Sequence, residues 1–237
     1  MAKRGKRYLQ AQTLIDQDVD YDPSEAVALV KQTASAKFDE AVELHLRTGC
    51  DPRHADQLVR GATSLPHGLG KQPRVLVFAT GEAAQAAQQA GADFVGDDDL
   101  IKRIEGGWVE FDVAIATPDI MGKVAKLGKV LGRRGLMPNP KSGTVGPPQD
   151  VSRVINDSRK GRVEFRLDRA AIIHAPVGKA AFKESELLGN LTTLVDAIVR
   201  SRPTGVKGEF IKSAFLSSAM GPSIKLDLSK LLTLKVE

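Results

Sequence analysis

The sequence predicts an α/β protein of two domains: a discontinuous, two-layer α+β domain drawn from both termini and a doubly wound α/β domain inserted into it. Three observations predict it. Strands near both ends alternate apolar and polar residues, as half-buried strands do. The middle carries continuous apolar runs separated by helical segments, the texture of a parallel sheet covered on both faces. A Gly- and Pro-rich stretch near 65–73 and a second crossing near 158–161 separate the two textures. The expected division is 1–67 and 160–237 for domain one and 68–159 for the insert.

Asp22-Pro23-Ser24-Glu25 reads as a helix start, with Asp22 as N-cap, Pro23 in the first turn and Glu25 near the positive end. Val27, Val30, Ala34 and Phe38 follow at helical spacing and predict one apolar face. Val42-Glu43-Leu44-His45-Leu46-Arg47 alternates strictly, so Val42, Leu44 and Leu46 should face a core and the polar side water or a partner.

After the first break, 75–79 reads as a strand buried on both faces, followed by a helix over 82–90 that Gly91 ends. A short strand over 93–95, a helix over 97–105 with Asp97 at its cap, and a strand over 113–116 complete two parallel crossovers. Residues 117–146 read as a loop-rich stretch. Beyond Arg162, residues 163–167 alternate, with 170–175 as the expected hairpin partner. Leu187, Leu188, Leu191, Leu194, Val195 and Ile198 stripe a helix over 184–200. Segments 210–218 and 224–228 should close the sheet.

Enzyme classes find little support. Gly122 to Gly128-Lys129 has one residue too many for a P-loop, and Val130 stands where Ser or Thr would hold magnesium. Gly68-Leu69-Gly70-Lys71 runs into Pro73 and a strand rather than a helix N-terminus. His45, His54, His67 and His174 lie in separate segments without ligand spacing, so no metal site is expected. A single cysteine, Cys50, leaves no disulfide framework. No catalytic residue and no cofactor are expected, and no apolar run is long enough for a membrane span.

Charge points elsewhere. The net charge is +5, and residues 160–237 hold 13 Lys+Arg against 8 Asp+Glu, while the two earlier thirds are balanced. Between Asp119 and Asp150 there is no acid, but there are Lys123, Lys126, Lys129, Arg133, Arg134 and Lys141, interspersed with glycines. Such a block suits a polyanion, nucleic acid first, and reads equally as a solvated helix face. Ile211 to Pro222 ends a strand in Ser, Met and Gly, which suits the minor groove and 2′-hydroxyls of folded RNA as well as an ordinary turn.

Five segments carry a resemblance: Ala36-Lys37-Phe38-Asp39-Glu40-Ala41-Val42-Glu43-Leu44, Asp56-Gln57-Leu58-Val59-Arg60-Gly61, Leu65-Pro66-His67-Gly68-Leu69-Gly70-Lys71, the run from Gly135 to Val145, and His174-Ala175-Pro176-Val177-Gly178-Lys179. They resemble, in order from about residue 3 to 228, the bacterial ribosomal protein L-one family of the large subunit. The resemblance implies a Rossmann-like three-layer α/β/α insert and a hinge, here Pro66, Gly68, Gly70 and Gly161. It implies a non-enzymatic cytoplasmic protein of the ribosome, monomeric off it, that binds large-subunit rRNA and forms the mobile stalk beside the E site. There it assists release of deacylated tRNA, and it represses its own operon by binding mRNA.

The family's rRNA surface maps to Lys37, Phe38, Arg169, Ser213, Ser217, Ser218, Met220 and Gly221, with Arg166 and Lys212 as neighbouring cations. The 123–141 block would face tRNA. The family commonly has Thr where this chain has Ala41 and Ala219. A generic basic RNA-binding module and a nucleotide-dependent enzyme are the competing readings.

Overall fold

The computed structural model describes residues 4–234. The start of the basic N-terminus, residues 1–3, and the side chain of Lys141 lie outside what is described. In chain order the main elements are α1 (Lys6–Gln12), α2 (Pro23–Thr33), β1 (Ala41–Thr48), β2 (Arg60–Ser64), β3 (Val75–Phe78), α3 (Gly81–Gln89), β4 (Phe94–Gly96), α4 (Asp98–Glu105) and β5 (Val113–Ala116). Then come α5 (Met121–Val124), α6 (Gly128–Arg134), α7 (Val151–Arg159), β6 (Arg162–Arg166), β7 (Ile172–Lys179), α8 (Glu184–Arg200), β8 (Ile211–Ser218), β9 (Ser223–Lys225) and α9 (Leu228–Thr233). Two compact units result. The first ends at Gly70 and resumes at Val163, and the second is Lys71–Arg162.

Domain one is an antiparallel sheet in the order β7-β1-β8-β9, with a two-stranded β2–β6 sheet beside it. The alternation in β1 does what the sequence leads one to expect: Val42, Leu44 and Leu46 are buried, against Ala26, Val27 and Val30 of α2 and the Leu187–Ile198 stripe of α8. Asp22 caps α2 by accepting from Ser24 N at 3.0 Å. Pro176 sits on edge strand β7, where a missing N–H costs least.

The insert is a parallel sheet in the order β4-β3-β5. Along β3, Leu76 and Phe78 join a core with α4 and the 120–131 segment, while Val75 and Val77 join one with α3 and α7. A strand that feeds two cores needs apolar residues at every position, which is why 75–79 shows no alternation.

Several expectations are corrected. The 117–146 stretch is substantially helical between Pro118 and Arg134, because Ile120, Val124, Leu127 and Leu131 recur every three or four residues and bury one face. Strand β6 pairs with β2 and touches β7 through a single bridge, Leu167 to Ile173. Gly61 permits that pairing, since a Cβ there would lie 2.7 Å from the Phe165 ring. Helix α2 stops at Thr33, so Phe38 is not on its apolar face. Asp97 precedes α4 without a side-chain capping bond. The final strand is only Ser223–Lys225, and Asp227 then caps α9.

The chain crosses between the units later than Pro66 and Gly68. Asn190, fully buried in α8, accepts from His67 N at 3.0 Å and donates to Gly68 O at 3.0 Å and Val177 O at 2.8 Å. Pro66 and Gly68 are thereby fixed in domain one, and the chain leaves it only after Gly70. Replacing Asn190 by Leu strands buried backbone groups and should destabilise the domain by about 2–4 kcal/mol, read as a lowered urea midpoint.

Candidate nucleic-acid interface

The second face of the four-stranded sheet is open. Register places Glu43 beside Pro176 and Ser217, His45 beside His174 and Phe215, and Arg47 beside Ile172 and Ser213. Lys225 lies opposite Phe215 and Ser223 opposite Ser217. All of these residues retain exposure, while their strand neighbours on the helical side are buried. Ser213 and Ser217 share this face, two pleats or about 13 Å apart.

Two loops bound one end of the face. The first carries Lys37 and Phe38 into β1, and the second carries Met220 and Gly221 from β8 to β9. Phe38 is 58% exposed and Met220 56%, so two large apolar side chains stand in water beside a polar sheet. Core packing explains neither. A Cβ at Gly221 would overlap Ser218 Oγ, so a larger residue there would make that hydroxyl rotate aside. Ala219 N donates to Ala41 O at 2.9 Å, so the two positions where the related family commonly has Thr are adjacent in this structure.

Other expected contacts are distributed differently. Ser218 is 2% exposed on the covered side of β8, because strand alternation opposes it to Val42, and its backbone carbonyl, not its hydroxyl, accepts from Gly221 N at 3.2 Å. Lys212 is exposed but is the residue skipped where the β1 register shifts between Ser213 and Ile211. Arg169 is exposed in the turn before β7, beyond the Arg47 end of the face. Arg166 is exposed on the separate β2–β6 sheet.

In the insert, Lys126, Lys129, Arg133 and Arg134 are exposed on the side of the 118–134 helices opposite the buried stripe. Lys123 is engaged locally, 2.8 Å from Asp98 and 3.9 Å from Asp97.

Sequence reasoning missed a polar chain across the open face. His45 Nδ1 and His174 Nδ1 are 2.8 Å apart, His45 Nε2 is 3.1 Å from Ser217 Oγ, and His174 Nε2 is 3.4 Å from Asp168 Oδ2. Bonds from Ile172 N and Ala170 N hold the Asp168 carboxyl below its ordinary value, so it is an acceptor only. The tautomers follow from that end: His174 Nε2–H donates to Asp168, His45 Nδ1–H donates to His174, and Ser217 O–H donates to His45. Ser217 then offers lone pairs outward, suited to a donor such as a 2′-hydroxyl. The alternation of β1 marked this polar side, but the pairing of His45 with a residue 129 positions away was not visible locally.

Burial, then the neighbouring charge of His174, pushes the His45 pKa down, and Glu43 at 4.0 Å only partly opposes this. The unfolded chain takes up this proton near the ordinary histidine value and the folded chain resists it, so stability is lost as pH falls through about 6.5. Between pH 7.5 and 5.5 the urea midpoint of the wild type should fall further than that of His45→Gln. Equal falls would show that His45 contributes nothing.

Comparison with known proteins identifies the family. The Ribosomal protein L1p/L10e family profile matches residues 30–222. The chain is 60% identical over 228 residues to the Large ribosomal subunit protein uL1 of Dehalococcoides mccartyi strain 195, with 96% of each chain covered. It is 56% identical over 230 residues to that of Thermomicrobium roseum, with 97% of this chain and 95% of the relative covered. The profile match begins within α2 and ends just beyond β8, taking in both segments of domain one and the whole insert, and the chain belongs to the ribosomal protein L1p/L10e family.

Proposed function

We propose that this ribosomal protein grips large-subunit rRNA through the open sheet face of domain one and its 37–38 and 220–221 loops. The observation that carries the reading is that face itself: hydroxyls, imidazoles and cations on the strands, with exposed Phe38 and Met220 at one end. Cations there release counterions from phosphates, a salt-dependent contribution with little sequence information. Ser213, Ser217, Met220 and the bare backbone at Gly221 supply shape matching. An exposed phenylalanine is a stacking platform for an unpaired base.

The insert faces tRNA in this reading. Gly122, Gly128 and Gly132 have open space where a Cβ would lie, so no neighbour demands a glycine at any of them. Each lowers helix stability and leaves backbone approachable between Lys126, Lys129 and Arg133. That combination suits a phosphate backbone at close range. Held on the ribosome by domain one, the insert forms the mobile stalk beside the E site and assists departure of deacylated tRNA, with the two crossings as pivots. Off the ribosome the protein is a monomer, and the same sheet face binds a similar structure in its operon's mRNA and represses translation.

Competition between the chain's own large-subunit rRNA fragment and random RNA of equal length tests the reading; a ratio near one would indicate a generic basic module. Met220→Ala should weaken specific binding about tenfold, equivalent to ~1.4 kcal/mol, with the salt slope unchanged. Arg169→Ala should instead reduce the slope of log K against log salt by about 1 if it meets one phosphate. Identical behaviour of the two variants in a salt titration would refute the division of labour.

A further inference from the structure

Glu40 is a carboxylate at 2% exposure, and its two oxygens have separate tasks. Oε1 accepts from Ala36 N at 2.7 Å, closing the turn that displays Lys37 and Phe38. Oε2 accepts from Met220 N at 2.9 Å, across 180 residues of sequence. Its backbone is anchored as well, since Glu40 O accepts from Ala180 N at 2.9 Å. A charged group is costly to bury, and it persists here because both oxygens are paired. Burial alone would raise its pKa. The Ala36 and Met220 N–H groups, with the Ser218 hydroxyl and the charge of Arg7, outweigh burial and hold it below the ordinary value, so the group is ionised at neutral pH.

We infer that Glu40 is a positioning residue for RNA recognition: one buried carboxylate sets the two loops of the interface at a fixed separation, without itself touching RNA. The inference rests on the reading of domain one as the rRNA surface. A sheet face is rigid by its ladder, whereas a loop that displays an exposed Phe or Met has no core to hold it. Two charge-assisted bonds to one side chain remove that freedom before RNA arrives, so less ordering is left for the binding step. Only a group with two acceptor oxygens can do this. In an amide of the same shape, one N–H donor of the protein would meet an NH2 group.

Glu40→Gln is the direct test, using the full chain, the rRNA fragment and random RNA of equal length. Specific affinity should fall about 10- to 100-fold, the effect of one buried bond lost to an unpaired donor. Random-RNA affinity and the salt slope should stay as in the wild type. Amide exchange should accelerate at Met220 or Ala36 but not at Leu44 and Leu216 inside the sheet. In a double-mutant cycle, Glu40→Gln with Met220→Ala should lose less than the product of the single losses, because both act through one loop.

Wild-type specific affinity in Glu40→Gln, or losses that multiply, would overturn the inference. If Met220→Ala itself binds the fragment as tightly as the wild type, the reading of the surface fails first, and the two failures are thereby told apart. Should Glu40→Gln not fold by circular dichroism, Glu40→Asp carries the same test, since it keeps the charge but withdraws the carboxylate by one methylene.

Discussion

Domain one depends on the position of β1 between β7 and β8. Both neighbours arise more than 120 residues later in the chain, so the central strand of the sheet receives its hydrogen bonds only from the distant segment. One pleat phase then decides everything else. With Val42, Leu44 and Leu46 turned toward α2 and α8, the polar set Glu43, His45 and Arg47 must line the other face. A slip of one residue would exchange core and interface, and the apolar alternation makes that slip prohibitively expensive. Burial on one side therefore specifies recognition chemistry on the other.

The insert answers to a different constraint. Its strands feed cores on both faces, so none of them can spare a polar face for a ligand. Whatever it presents must come from helices and loops, and exposed Lys126, Lys129, Arg133 and Arg134 lie on the helical 118–134 segment. The phosphate motifs of nucleotide-binding relatives of this architecture are absent from the sequence, and the fold carries no function by itself.

Legibility in the sequence followed the range of the interactions. Elements set by local pattern were visible: Asp22 and Pro23 at the start of α2, the alternation of β1, the unbroken run at β3 and the leucine stripe of α8. The 118–134 helices were obscured because Gly122, Gly128 and Gly132 signal loops by propensity, while the weaker 120–124–127–131 stripe decides the outcome through burial. The β2–β6 pairing was missed because a nearer hairpin partner competed for it, and Gly61 reveals its purpose only once Phe165 lies above it. At the interface, residue types were legible but their grouping was not. Ser218 read as a contact but lies buried on the covered side of β8, and neither Glu40 nor the Asp168–His174–His45–Ser217 chain could be seen before the termini were joined.

The discontinuity of domain one has a consequence for synthesis. Polypeptide leaves the translating ribosome in order, so the insert is complete while the sheet still lacks three of its four strands. Elongation at about 5–20 residues per second separates the emergence of β1 from that of β8 by roughly 10 to 30 s. Until β7 emerges, a nascent strand with valine and leucine on one side waits without either ladder, adhesive toward other chains. The order of its segments thus prolongs that exposure, and the last seventy residues act as the clasp that ends it.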